Sequence, residues 1–86
     1  MSETHEHRLK RLTMRSMRRG IKEMDLILTA YAASALADKD DAGLTLYDGL
    51  LSENDQDLYQ WVTGQVAAPA QFTDLIEEIA NHAGAR

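Results

Sequence analysis

The chain has 86 residues, a formal net charge of −5 and a hydrophobic fraction of 44%. A chain of this length forms one small domain with a modest core, so a deep cleft between two domains is excluded. It contains no cysteine, which excludes disulfides, thiolate chemistry and cysteine-ligated zinc.

The charges are distributed unevenly along the chain. Residues 1–24 hold seven of the nine basic residues and three acids, a balance of +4. The remaining residues hold two basic residues and eleven acids, a balance of −9. A basic segment on an acidic body can orient a partner that has a complementary surface.

Targeting and membrane segments are not evident in the sequence. No apolar run approaches the roughly 20 residues that span a bilayer, and the N-terminus lacks the apolar stretch of a secretory signal. Glu3 and Glu6 argue against a mitochondrial transit peptide, because such peptides are poor in acids. We therefore expect a soluble cytosolic protein that does not insert into membranes.

The N-terminal half predicts two helices. Residues 1–7 are expected to form a flexible tail. A helix from Arg8 to Arg19 has a sparse apolar stripe between arginines. After Gly20, a more strongly periodic helix spans Ile21 to Leu36. The charged residues 38–41 end this helix in an exposed loop.

Two more helices are predicted in the following 25 residues. The third runs from Ala42 to Leu51. Its expected buried residues are Leu44, Tyr47, Leu50 and Leu51. The fourth begins at a cap supplied by Asn54 or Asp55, and Gly64 stands where a left-handed C-terminal residue is needed.

The chain ends in a fifth predicted helix. Pro69 suits its opening turn, and an apolar stripe continues to Gly84. No strand alternation appears in the sequence, and the connections are short. We therefore predict an all-α fold, a compact bundle of about five short helices that form a single domain over residues 1–86.

Charged residues surround the glycine between the first two helices. Residues 18–25 read Arg-Arg-Gly-Ile-Lys-Glu-Met-Asp. Glycine at such a junction either relaxes the helix end into a left-handed turn or lets another backbone approach closely. If the second helix begins there, Glu23 lies in its first turn, where the helix dipole favours an anion, and projects beside Arg19. This segment suits a contact surface better than a core.

The same segment resembles the arginine-glycine-x-x-glutamate motif of the SdhE family, small succinate dehydrogenase assembly factors that promote flavin attachment. A second block at residues 50–62 resembles the family's Leu-Leu pair, acidic turn and Asp-Leu-aromatic-x-Trp helix. The two blocks have the family's order and spacing, so the resemblance covers essentially the whole chain.

The resemblance implies a function and a set of site residues. Members of the family bind the flavoprotein subunit of succinate dehydrogenase, or in some bacteria that of fumarate reductase, and promote covalent attachment of FAD. It implies a bacterial cytoplasmic protein, monomeric when free, that is not an enzyme and holds no cofactor beyond the client's FAD. Its expected action is to stabilise a flavin-competent conformation of the client. The implied partner-binding residues are Arg18, Arg19, Gly20, Lys22, Glu23 and Asp25.

Several of these residues have other interpretations. Arg19 and Glu23 also fit a solvated helix end with an ion pair worth a few tenths of a kcal/mol. Asp25 either contacts the partner or accepts a hydrogen bond from a neighbouring arginine and fixes the motif. Large aromatics often anchor partners, but for Trp61 and Tyr59, on a short helix, we expect core packing.

The sequence contains no recognisable catalytic or metal site. His5, His7 and His82 lack a zinc-binding spacing, and no nucleophile or phosphate-binding motif is present. The methionines at positions 14, 17 and 24 fit core or interface filler at helical spacing.

Two alternative functions use the basic first helix. In the first, four arginines bind the phosphates of a nucleic acid; these are Arg8, Arg11, Arg15 and Arg18. The net charge of −5 argues against it. In the second, residues 8–19 lie on a membrane surface, although their apolar face has no bulky anchor.

Overall fold

A computed structural model describes residues 3–84. These residues form five α-helices: α1 (His5–Arg15), α2 (Lys22–Ala35), α3 (Asp41–Leu51), α4 (Asp55–Val62) and α5 (Thr73–Ala83). One 3₁₀ turn at Leu36–Asp38 extends α2, and another at Ala70–Phe72 leads into α5. No strand occurs in this range, and the predicted all-α class is confirmed. None of its helices is long and apolar enough to cross a bilayer.

Side-chain caps determine where three of the helices begin. The hydroxyl of Thr4 accepts a hydrogen bond from the backbone N–H of His7, and Asp40 and Asn54 cap α3 and α4 in the same manner. Each cap satisfies a first-turn donor that the helix leaves unpaired. Because Thr4 caps α1, residues 5–7 form its first turn and are not part of the predicted flexible tail. Residues 1 and 2 lie outside the described range.

The core is built around α2, which packs against α1, α4 and α5. The Tyr31 and Tyr47 rings lie with their centroids 5.6 Å apart, where α2 meets α3. The predicted burial of the four apolar residues of α3 is confirmed. The largest fully buried side chains are Tyr31, Tyr47, Leu12, Met24, Leu28, Leu36, Leu44, Leu50, Leu58, Ile76, Ile79 and Val62.

The C-terminal helices complete the core. Trp61 exposes 7% of its surface and stacks on Phe72, with ring centroids 6.3 Å apart. Its expected role in core packing is therefore confirmed, and Tyr59 packs half-buried beside it against the core. Gly64 has a φ angle of 81°, which confirms the left-handed position predicted there, and Gly84, where the apolar stripe stops, is also left-handed with a φ angle of 69°.

A polar cluster joins α5 to the C-terminal end of α2. The hydroxyl of Tyr31 donates to the Glu78 carboxylate, and Lys39 Nζ lies 3.1 Å from Glu78 Oε2. The hydrogen bond from Tyr31, assisted by Lys39, holds the pKa of Glu78 below its ordinary value. Burial raises the pKa of Tyr31. These contacts stabilise the end of α2 that is distant from the charged motif.

Candidate functional site: the loop between α1 and α2

The charged motif begins in an irregular loop, because α1 ends at Arg15. Ser16, the next residue, is fully buried. Its Oγ donates to the Leu12 carbonyl at 2.8 Å and lies 2.6 Å from the Tyr47 hydroxyl. The backbone of Ser16 is still helical, but α1 ends before it, so the prediction of a helix through Arg19 is wrong. Arg18 and Arg19 consequently lie in a loop anchored at its start.

Arg18 is the residue at which this loop turns. Its φ angle of 55° is left-handed, a conformation that residues other than glycine adopt at a cost. The backbone N–H of Arg18 donates to Asp25 Oδ1 at 3.0 Å, and Thr29 Oγ1 donates to the same oxygen at 3.2 Å. The expected hydrogen bond between Asp25 and a neighbouring arginine is therefore present, through the backbone. The exposed guanidinium of Arg18 has no partner within residues 3–84.

Arg19 points into the protein. Its Nε donates to Asp55 Oδ1 at 2.8 Å, and only 12% of its side chain is exposed. Its other nitrogens donate at 3.1 to 3.3 Å to the carbonyls of Arg15, Leu51 and Glu53. The prediction that Arg19 projects beside Glu23 is therefore wrong. The segment from the end of α3 to the start of α4 offers the guanidinium a charged acceptor and two carbonyls at short range.

Gly20 contacts the same aspartate. Its backbone N–H donates to Asp55 Oδ2, and a Cβ at this position would lie 3.1 Å from that oxygen. The left-handed turn expected at this glycine lies instead at Arg18, and the group that approaches Gly20 is a side-chain carboxylate, not a backbone. Asp55 is available for this contact because the neighbouring Asn54 caps α4.

Lys22 and Glu23 form the outward-facing part of the motif. Both lie in the first turn of α2, as predicted for Glu23, and both are exposed. Neither side chain forms a hydrogen bond or ion pair with another residue in the 3–84 range. The site thus presents Arg18, Lys22 and Glu23 to solvent, while Arg19, Gly20 and Asp25 hold the loop that carries Arg18 and leads into α2.

A shallow apolar groove lies next to Arg18. Met14, Met17 and Arg18 line it, and its volume is about 210 Å³. Met14 is 72% exposed and Met17 43%, whereas Met24 is fully buried. Of the two roles expected for the methionines, Met24 is core filler and the other two face solvent beside the motif.

The arginines of α1 are largely used within the chain. Arg11 and Arg15 both donate to the Asp48 carboxylate, and Arg8 donates to Thr45 Oγ1. The hydrogen bond from Arg11 holds the pKa of Asp48 below its ordinary value. Three of the four arginines considered for phosphate binding therefore already have acceptors on or beside α3.

Two of the histidines contact residues elsewhere in the fold. His82 Nε2 lies 2.6 Å from Ser34 Oγ, and the ring meets Tyr31 edge-on with centroids 5.8 Å apart. His5 Nδ1 lies 3.9 Å from Asp41. Over residues 3–84 no three His, Cys, Asp or Glu side chains are grouped to hold a metal ion.

Asp55 is the site residue that sequence reasoning missed. The sequence predicted it only as a possible cap for α4. Its carboxylate instead accepts hydrogen bonds from Arg19 and Gly20, which lie 36 and 35 positions earlier in the chain. The one available signal was the adjacent Asn54, which satisfies the cap and leaves Asp55 without a local role. That signal does not identify the partner.

A family model and individual relatives both relate this chain to succinate dehydrogenase assembly. Residues 10–83 match a family model described as "Flavinator of succinate dehydrogenase". The mitochondrial succinate dehydrogenase assembly factor 2 of Drosophila grimshawi is 38% identical over 78 residues, 87% of this chain and 53% of the relative. The protein of that name in Meyerozyma guilliermondii is 44% identical over 61 residues, 71% of this chain and 45% of the relative. The chain thus spans about half the length of these relatives, and it belongs to the succinate dehydrogenase flavinator family.

Proposed function

We propose that this protein binds the flavoprotein subunit of succinate dehydrogenase and promotes covalent attachment of FAD to it. Membership of the flavinator family supports the client and the reaction. The observation that carries the proposal is the exposed trio of Arg18, on the loop that Arg19 anchors, and Lys22 and Glu23, in the first turn of α2. Exposed charges on a fixed backbone are suited to recognising a complementary protein surface.

The proposed mechanism requires no catalytic group in this chain. The FAD belongs to the client, and the bond forms between that flavin and a histidine of the client. If the factor binds the flavin-competent conformation more tightly than the open one, binding multiplies the ratio of competent to open client by the ratio of the two affinities. A preference of about 1.4 kcal/mol would change the equilibrium tenfold.

The remaining details of the proposal follow the family resemblance. Fumarate reductase is a second candidate client where the cell contains it. The factor acts as a monomer before it meets the client, and its proposed location is the bacterial cytoplasm. Fractionation of cells that express a tagged chain tests this location, which recovery of the chain with membranes or exported proteins would contradict.

Complementation tests the function directly. The encoding gene is deleted, and covalent flavin on a dehydrogenase subunit is read as ultraviolet fluorescence on a denaturing gel. We expect the intact chain to restore this band and the Glu23→Lys variant to fail. Since Glu23 is exposed and has no partner in residues 3–84, the substitution should cost only its favourable position in the first turn of α2, about 1 kcal/mol of unfolding free energy, which leaves the chain folded.

Glu77→Lys is the matched control. Glu77 is an exposed acid on α5 and takes the same change of two charge units. It should restore the fluorescent band fully. A band that persists in the gene deletion refutes the proposed function, and equal loss with both variants would assign the Glu23 effect to overall charge.

A further inference from the structure

We infer that Asp55 is a positioning residue for client binding, acting through Arg19 and Gly20 to set the direction in which the exposed charges project. This inference rests on the proposed function. It is carried by one carboxylate that bonds two consecutive residues of the motif, Arg19 through Oδ1 and Gly20 through Oδ2. The side chain of Asp55 is only 15% exposed.

These bonds are a fixed link between the loop and α4. Residues 16–21 have no helical ladder of their own, so their geometry depends on contacts made elsewhere. Ser16 fixes the start of the loop and Asp25 fixes Arg18. Asp55 fixes Arg19 and Gly20, the two residues that follow Arg18. A loop already held in its bound geometry loses less conformational freedom on binding, which increases affinity.

The role of Asp55 is separable from the stability of α4. Asn54 already caps that helix by accepting from the Gln56 N–H at 2.8 Å. The first turn of α4 also retains Asp57 as its complement to the helix dipole. Removing the charge of Asp55 should therefore perturb the loop while α4 remains formed.

The test is Asp55→Asn in the full chain, which preserves shape and removes the charge. Affinity for the purified flavoprotein subunit is measured by calorimetry at a temperature where melting curves show each variant folded. The Gly20 amide is followed in an ¹H–¹⁵N spectrum, where the chain has only five glycines. Glu78→Gln is the matched control, since it makes the same exchange in the cluster at the other end of α2.

We expect Asp55→Asn to shift the Gly20 amide upfield and to weaken client binding roughly tenfold. Glu78→Gln should leave both unchanged. Normal affinity with a shifted Gly20 amide would overturn the positioning role while leaving the proposed function intact. An unshifted amide would also overturn it, because the bond would then not hold the loop. If the unaltered chain does not bind the subunit, the proposed function fails and the positioning role fails with it.

Discussion

Replacing Arg18 by glycine should make the protein more stable and less active. Arg18 has a φ angle of 55°, which glycine adopts without steric cost. Its guanidinium has no partner in residues 3–84, so the folded state loses no side-chain bond. The backbone N–H that donates to Asp25 is kept.

The expected gain follows from two opposing terms. A left-handed conformation costs a residue with a Cβ about 1–2 kcal/mol. Glycine loses more conformational freedom on folding, which destabilises the folded state by about 0.5–1 kcal/mol and offsets part of this gain. The net stabilisation is about 0.5–1 kcal/mol, and for a domain of this size it raises Tm by about 2–8 °C.

Arg18→Ala separates the backbone effect from the side-chain effect. Alanine removes the guanidinium but keeps the left-handed cost, so its Tm should remain close to that of the unaltered chain. Both variants should weaken client binding by the same factor, about tenfold if the guanidinium is a principal contact. Thermal melts monitored by circular dichroism and calorimetry with the flavoprotein subunit measure the two quantities. A glycine variant that melts no higher than the alanine variant would refute the backbone argument, and undiminished binding by both would remove Arg18 from the contact surface.

Two further changes probe the supports of the site. Gly20→Ala places a Cβ 3.1 Å from Asp55 Oδ2, in a carboxylate that Arg19 holds in place through Oδ1. We expect it to cost about 1 kcal/mol and to lower client affinity, and an unchanged Tm would show that the carboxylate can move. The pKa of Asp48 is lowered because Arg11 donates a hydrogen bond to its carboxylate. This pairing stabilises the folded state fully above the ordinary aspartate pKa near 3.8, and the stabilisation is lost as the pH falls through the lower pKa of the folded state. Asp48→Asn should therefore be about 1 kcal/mol less stable at pH 7, with a smaller loss of stability between pH 5 and pH 2 in acid titrations; an unchanged acid slope would contradict this assignment.

Much of the fold could be read from the sequence because its signals are local. Apolar spacing predicted the buried faces of α3 and α5, and Asn54, Gly64 and Gly84 marked helix ends through short-range hydrogen bonding and backbone conformation. The errors occurred where a distant contact competed with local propensity. The helix predicted through Arg19 stops at Arg15, and the chain turns at Arg18, whose backbone N–H donates to the Asp25 side chain seven residues later.

The sequence by itself determined the all-α class and the place of the charged motif, since periodicity and charge are properties of neighbouring residues. Only the tertiary structure decided which motif residues face solvent. Arg18 and Arg19 are adjacent and chemically identical, yet one guanidinium is exposed and the other is enclosed by Asp55 and the carbonyls of the turn between α3 and α4. That difference arises because packing brings a carboxylate and three backbone carbonyls to one arginine and leaves the other in water.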